Sequence, residues 1–355
     1  MTSYGQKPDG RSRGGREGEA MDSPQAPTTT STGLVRTVLG DVPAAQLGRI
    51  DYHEHLFQVS ALLAGDELDD EPASGGEAAL LRQGGIDAMV EATPTGLGRD
   101  PAAVARISQT TGLTVVHISG GHRDEHYAAG HWLLACDLAE LVRRFEADVC
   151  EGLPAEDLVE RGTLALGPAG EPVRAGMLKA GVGYWRISAF ERRVLEAIAI
   201  VALRTGVAAM VHTEHGSAAW EVLDVLAEVG LPADRVVLAH MDRNLDPGLH
   251  AELTTSGVYL GYDGMARHRE APDAAILDCL ERTLAAGDAT RVLLGGDVAR
   301  KSRYRAYGGM PGLDYLPRRF VPRVRQRLGT AVVDALLVDN PARLLALRPP
   351  STPVS

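Results

Sequence analysis

From Ile50 to Gly295 the chain alternates between two hydrophobic rhythms. Short, nearly unbroken apolar runs recur, and between them lie longer stretches whose apolar residues return with helical period. The runs predict strands over Ile50–His55, Ala88–Ala92, Thr114–Ser119, Gly176–Ala180, Ala208–Thr213, Arg235–His240, Val258–Tyr262 and Arg291–Gly295. Helices are predicted over Pro101–Thr111, Leu133–Glu151, Ala189–Thr205, Ala218–Val229, Asp273–Ala286 and Arg319–Arg327. Strands without a polar face are covered on both sides, as in a parallel sheet flanked by helices. Eight of them alternating with helices predict an α/β fold of the closed (β/α)8, or TIM barrel, type. No Gly-x-Gly-x-x-Gly follows the first strand, which argues against a dinucleotide-binding open sheet.

Gly112, Gly206, Gly230 and Gly257 each stand just before a strand, where the left-handed conformation that closes a helix is expected; they are assigned no chemistry. Residues 1–32 are rich in Gly, Ser, Thr, Arg and Pro and lack periodicity, which predicts a disordered N-terminal tail with Met21 as an alternative start. The folded part is expected to begin at Leu34–Leu39, with a turn at Gly40-Asp41-Val42-Pro43. One barrel domain over 33–348 and a C-terminal tail over 349–355 complete the expected organisation.

The 355 residues are 45% hydrophobic, enough for a large core, and carry 36 basic against 47 acidic side chains, a formal charge of −11. That balance argues against nucleic acid as a partner. No run is long enough to span a membrane, and no apolar leader core is legible near Met1. Cys136, Cys150 and Cys279, odd in number and widely spaced, read as reduced thiols of a cytoplasmic protein rather than a disulfide framework or a zinc ribbon.

Chemistry concentrates at the strand ends. Asp51-Tyr52-His53-Glu54-His55-Leu56 places two imidazoles two residues apart, on one face of the first strand. The fourth strand carries Lys179, the fifth ends in His212, the sixth in His240, and the eighth in Gly295-Gly296-Asp297. In a closed barrel these ends converge on one mouth. A lone histidine at a strand end is more often a hydrogen-bonded core residue, but the joint pattern points to a metal site. Imidazole and carboxylate donors suit zinc first, with manganese, iron, cobalt or nickel as alternatives. Lys179 stays open on this ground alone. A buried, neutral amine can take up carbon dioxide as a carbamate, or the side chain can simply pack its stem.

Gly33–Gly40 followed by His53-Glu54-His55-Leu56-Phe57 resembles the opening of the phosphotriesterase family of the amidohydrolase superfamily. Ala175–Ala180 is similar to that family's bridging-lysine strand, Val211-His212-Thr213-Glu214 to its fifth strand, Ala239–Arg243 to its sixth and Gly295–Asp297 to its eighth. The likeness runs over about residues 33–348. It implies two divalent metal ions: His53, His55 and Asp297 on the more buried, His212 and His240 on the more exposed, and carboxylated Lys179 with a hydroxide bridging them. Asp297 is then the candidate to move the nucleophile's proton. The resemblance also makes a homodimer plausible.

Two segments depart from the organophosphate hydrolases of the family: Gly120-Gly121-His122-Arg123-Asp124-Glu125-His126-Tyr127 after the third strand, and the basic stretch with Arg300, Lys301, Arg303 and Arg305 after the eighth. The basic stretch reads either as a solvated loop or as a clamp for an anionic substrate. His122, Arg123, His126 and Tyr127, Tyr262 and Asp263 at the end of the seventh strand, and Trp185 past the fourth are further candidates to line the pocket. The expected activity is hydrolysis of a lactone, carboxylic ester or N-acyl amide that carries an anion. Organophosphate triesterase activity, a mononuclear hydrolase with unmodified Lys179 and a non-catalytic binding barrel are the alternatives.

Overall fold

The computed structural model describes residues 33–352. The expected tail over 1–32, with Met21, lies outside the described residues, as do residues 353–355. The chain enters through an antiparallel hairpin of β1 (Leu34–Thr37) and β2 (Gly40–Pro43). Its turn falls at Val38-Leu39, ahead of the expected Gly40–Pro43 turn. Thr37 Oγ1 accepts the Leu39 N–H at 3.3 Å and donates to Gly40 O at 2.6 Å, while Gly40 takes φ +114°.

Eight parallel strands then follow in sequence order around the barrel: β3 (Ile50–Glu54), β4 (Ala88–Glu91), β5 (Thr114–Gly120), β6 (Met177–Val182), β7 (Ala208–Thr213), β8 (Val236–Ala239), β9 (Tyr259–Tyr262) and β10 (Val292–Leu294). They alternate with helices α1 (Glu71–Gln83), α2 (Pro101–Thr111), α3 (Trp132–Ala135), α4 (Leu138–Cys150), α5 (Ala189–Thr205), α6 (Ala219–Val229), α7 (Pro247–Thr255) and α8 (Asp273–Ala286). Short helices between Leu316 and Leu345 end the chain. The helix expected over Leu133–Glu151 is two. Cys136 is extended, and the Asp137 carboxylate accepts the Glu140 N–H at 2.8 Å, starting α4 afresh. Among the described residues no helix is long and apolar enough to cross a membrane.

Two apolar layers explain the unbroken strand patterns. Ile50, Tyr52, Val90, Val116, Ile118, Met177, Met210, Val237, Tyr259 and Leu293 pack together inside the barrel. Their strand neighbours Met89, Val115, Leu178, Val211, Leu238, Leu260 and Leu294 pack outward against the helices. Val35, Ala44, Leu47, Leu344 and Leu345 join the inner layer and plug the end opposite the site. Buried Arg235 fastens that plug, donating to Leu344 O at 2.9 Å and Gly206 O at 2.7 Å.

The seam between β10 and β3 is closed differently. One backbone bond spans it past the strand ends, Asp297 N–H to His53 O at 2.9 Å. Two buried carboxyl groups of β3 supply the rest: Asp51 accepts the Gly296 N–H at 3.2 Å and Glu54 the Val298 N–H at 3.0 Å. Burial raises both groups well above the usual carboxyl range.

Candidate metal centre

At the C-terminal mouth, His53, His55, Lys179, His212, His240 and Asp297 line one cleft of about 230 Å³. How each side chain gets there differs. Lys179 and His212 follow strand alternation, in step with Met177 on β6 and Met210 on β7. Ile50 and Tyr52 already use the inward positions of β3, so alternation alone would turn His53 outward. The β3–β4 register shifts between Asp51 and Glu54, and past that irregularity both histidines face the cleft. His240 and Asp297 lie beyond their strands at φ +67° and +42°, conformations that aim side chains back over the barrel.

The donor atoms converge. His55 Nε2 lies 3.6 Å and His53 Nε2 3.8 Å from Asp297 Oδ1, and Lys179 Nζ lies 3.2 Å from His53 Nε2. His240 Nε2 faces His212 Nδ1 at 2.8 Å. The outward nitrogens are occupied. Asp263 accepts from His53 Nδ1 at 3.2 Å, from His240 Nδ1 at 2.6 Å and from the Tyr52 hydroxyl. Glu214 accepts from His212 Nε2 at 2.9 Å, and His55 Nδ1 pairs with Thr93 Oγ1 at 2.6 Å. With protons committed to Asp263 and Glu214, His240 Nε2 and His212 Nδ1 both present lone pairs to the same space. Two lone pairs at that separation repel unless a cation stands near them. The donor set therefore fits a metal.

The electrostatics agree. Burial lowers all four imidazoles, His55 to about 3 and His240 to about 4, so they stand neutral with lone pairs free. Burial likewise lowers Lys179 to about 8, against the pull of Asp297 and Asp263. Burial would raise Asp297, but the Arg267 guanidinium chiefly outweighs it and holds the carboxylate well below its usual range. Arg243 and Arg267 sit on Asp297 Oδ2 at 2.7 and 2.5 Å. In Asp263 burial is likewise overcome, chiefly by His240 and His53, and the group stays ionised.

The structure separates the substrate candidates. His122, Arg123, His126 and Arg300 line the cleft. His122 Nδ1 accepts the Arg123 N–H at 2.9 Å, and the His122 and His126 rings lie 3.8 Å apart, tilted by 33°. Arg123 bonds Glu214 at 3.0 Å. Tyr127 does not line the cleft; its hydroxyl bridges His122 N and Thr95 O, closing the third loop. Tyr262 points out of the barrel, bonded to His250 Nδ1 at 2.6 Å and Thr283 at 3.0 Å, because it shares the outward parity of Leu260. Arg303 is set apart from the cleft, its guanidinium buried with neither Nη bonded; burial, with Arg267 beside it, lowers it to about 10. Arg305 pairs with Asp314 at 2.7 Å. Of the basic stretch, Arg300 alone reaches the cleft among the described residues, and Arg123, Arg243 and Arg267 supply the other guanidiniums. Asp263 serves the histidines from beneath rather than the substrate. Strand alternation from Tyr259 and Gly261 carries the signal for Asp263; nothing periodic marks Arg267.

The profile of the phosphotriesterase family matches residues 33–345. A phospho-furanose lactonase of Mycoplasmopsis synoviae is 28% identical over 88% of this chain and 92% of its own length. An N-acetyltaurine hydrolase of Tetraodon nigroviridis is also 28% identical, over 89% of this chain and 99% of its own. The crystal structure of a lactonase from Listeria monocytogenes superposes with a TM-score of 0.80 at 29% identity, covering 89% of this chain and all (100%) of that one. The match over nearly the whole barrel, together with this donor set, shows that the chain belongs to the phosphotriesterase family of hydrolases.

Proposed function

We propose that the protein is a metal-dependent hydrolase that cleaves a lactone, carboxylic ester or N-acyl amide bearing an anionic group, with two divalent cations held in the cleft. The carrying observation is the pair of lone-pair nitrogens, His240 Nε2 and His212 Nδ1, turned toward one space by Asp263 and Glu214. His53, His55 and Asp297 would hold one cation, and His212 and His240 the other. Cations so held would supply Lewis acidity, activating water near neutral pH and polarising the scissile carbonyl.

The chain's own groups do the rest. Lys179, lowered by burial to about 8, has an accessible neutral form whose Nζ can add to carbon dioxide and lose a proton, leaving an anionic carbamate that would add oxygen donors to the cleft. Asp297, kept ionised by Arg243 and Arg267, is placed to take the proton released as water adds and to return it to the leaving group. Arg123, Arg243, Arg267 and Arg300 outnumber the cleft's carboxylates Glu214, Glu270 and Asp297, a balance that favours an anion on the substrate. The two named relatives agree, one acting on a phospho-furanose lactone and the other on N-acetyltaurine, whose taurine end is a sulfonate.

Purified protein is expected to carry about two equivalents of transition metal per chain. It should turn over phosphorylated furanose lactones or N-acyl sulfonates and carboxylates in preference to paraoxon. Triester turnover exceeding the other classes would reject the substrate reading, and one equivalent of metal would favour a mononuclear site. Asp297→Asn should abolish turnover; a binding barrel would instead keep ligand affinity with no turnover to lose.

A further inference from the structure

The inner cleft has room for a reacting group and little more. At about 230 Å³ it is smaller than pockets that enclose a whole small ligand, which run from about 300 to 1,000 Å³. It adjoins an outer bowl of about 890 Å³, with Arg123, Glu214, His215 and Arg243 lining both. One wall of that bowl is the turn leaving β6, Gly183-Tyr184-Trp185-Arg186. Tyr184 is 63% exposed and Trp185 64%.

The exposure is enforced. Trp185 sits at φ +48°, a left-handed conformation unfavourable for so bulky a residue. It is pinned there by its N–H on Ser217 Oγ at 3.1 Å, by Arg186 N–H on Gly183 O at 3.2 Å and by the Arg186 guanidinium on Asp124 at 3.2 Å. The neighbouring turn after β7 is strained as well, with His215 at φ +53° and Ala218 at +57°, and Tyr184 meets the His215 ring edge-on at 6.1 Å. Strain of this kind persists where surrounding contacts impose it and gathers at ligand clamps. A glycine would satisfy the backbone at 185; the chain places a tryptophan there and holds its ring in water in the bowl that shares four lining residues with the cleft.

We propose that Tyr184 and Trp185 form a binding subsite for an apolar, planar or chain-like, portion of the substrate distal to the scissile bond. This rests on the hydrolase reading: the reacting carbonyl occupies the inner cleft and the remainder of the molecule crosses the shared rim into the bowl. Hydrocarbon laid against the indole leaves water, and each methylene so covered strengthens binding by up to about fourfold. The subsite sets which esters or amides are preferred and takes no part in bond cleavage.

Two lactones test it, γ-butyrolactone and its pentyl-tailed analogue γ-nonalactone. Wild-type enzyme should favour the tailed lactone through KM. Trp185→Ala should cut that preference by about tenfold while leaving kcat/KM for γ-butyrolactone within about twofold, and Trp185→Phe should restore most of it. Equal losses on both lactones, or an unchanged preference, would overturn the proposal. A direct readout separates it from the hydrolase reading. With Trp132→Phe and Trp220→Phe, Trp185 is the sole indole, and γ-nonalactone should shift its emission saturably where γ-butyrolactone does not. If neither lactone is turned over while that shift is present, turnover of uncharged lactones fails and the subsite stands; no shift sinks the subsite. A Trp185→Ala protein with altered oligomeric state would assign the turn to an interface between copies and likewise overturn it.

Discussion

Asp263 does more for the cleft than any residue that faces it. Its two oxygens receive His53 Nδ1, His240 Nδ1 and the Tyr52 hydroxyl, so one buried carboxylate sets the tautomer of two imidazoles on different strands. In Asp263→Asn, the amide offers one oxygen and two N–H donors. One histidine must then turn its own N–H toward the cleft and lose its lone pair there. Affinity for zinc, read by competition with a chromophoric chelator, should fall about 10–100-fold with the fold retained. Unchanged affinity would remove Asp263 from this role. Glu214 has the same relation to His212 on a smaller scale, and it also holds Arg123.

At the scale of elements, the eight strands were legible because burial on both faces strips them of polar positions; β7 spans Ala208–Thr213, as its apolar run indicates. Helix α1 was not, since Ser74, Gly75 and Gly76 interrupt its first turns and leave little apolar period, and α7, with Gly248 and two closing threonines, is equally faint. The strand-end histidines were visible in sequence, but the β3 irregularity that turns His53 inward was not, because a register shift belongs to a pair of strands. Arg243 and Arg267 were missed as cleft residues because they come from turns whose path no periodicity describes.

Two substitutions probe the elements themselves. A Cβ at Gly261 would stand 1.8 Å from the Tyr52 hydroxyl, the group that steadies Asp263. Gly261→Ala should therefore cost about 1–3 kcal/mol in urea unfolding and weaken metal binding together; a stability loss without the second effect would uncouple Tyr52 from the site. Arg99, buried between β5 and α4, bonds Asp148 at 3.0 Å and Asp157 at 2.7 Å and pins the long excursion after α4 to the barrel. Arg99→Met leaves Asp157 without its guanidinium and Asp148 with Arg161 at 3.3 Å as its remaining cation, and should cost about 3–5 kcal/mol by the same measurement.

For the whole molecule, buried neutral histidines away from the cleft dictate the response to acid. Burial, helped by Arg99, lowers His117 to about 3, and burial lowers His250 to about 4, both from an ordinary 6.5. The unfolded chain takes up these protons first. Stability is thus intact above pH 6.5 and lost as pH falls from 6.5 toward the folded-state values. His117 alone should account for about 2 kcal/mol between pH 7 and pH 5. Urea unfolding at the two pH values should show a smaller difference in His117→Gln than in the wild type; identical differences would mean that His117 takes up its proton in the fold as readily as in the unfolded chain.

The β10–β3 seam joins the last barrel strand to be synthesised to the first barrel strand, and the three donors His53, His55 and Asp297 stand astride it. An ion gripped by all three would be a clasp on the circle, and no shorter piece of the chain could assemble its setting. Chains cut short before Asp297 would own the imidazoles yet lack the means to arm them. Hydrolysis would then begin only once the ring is whole.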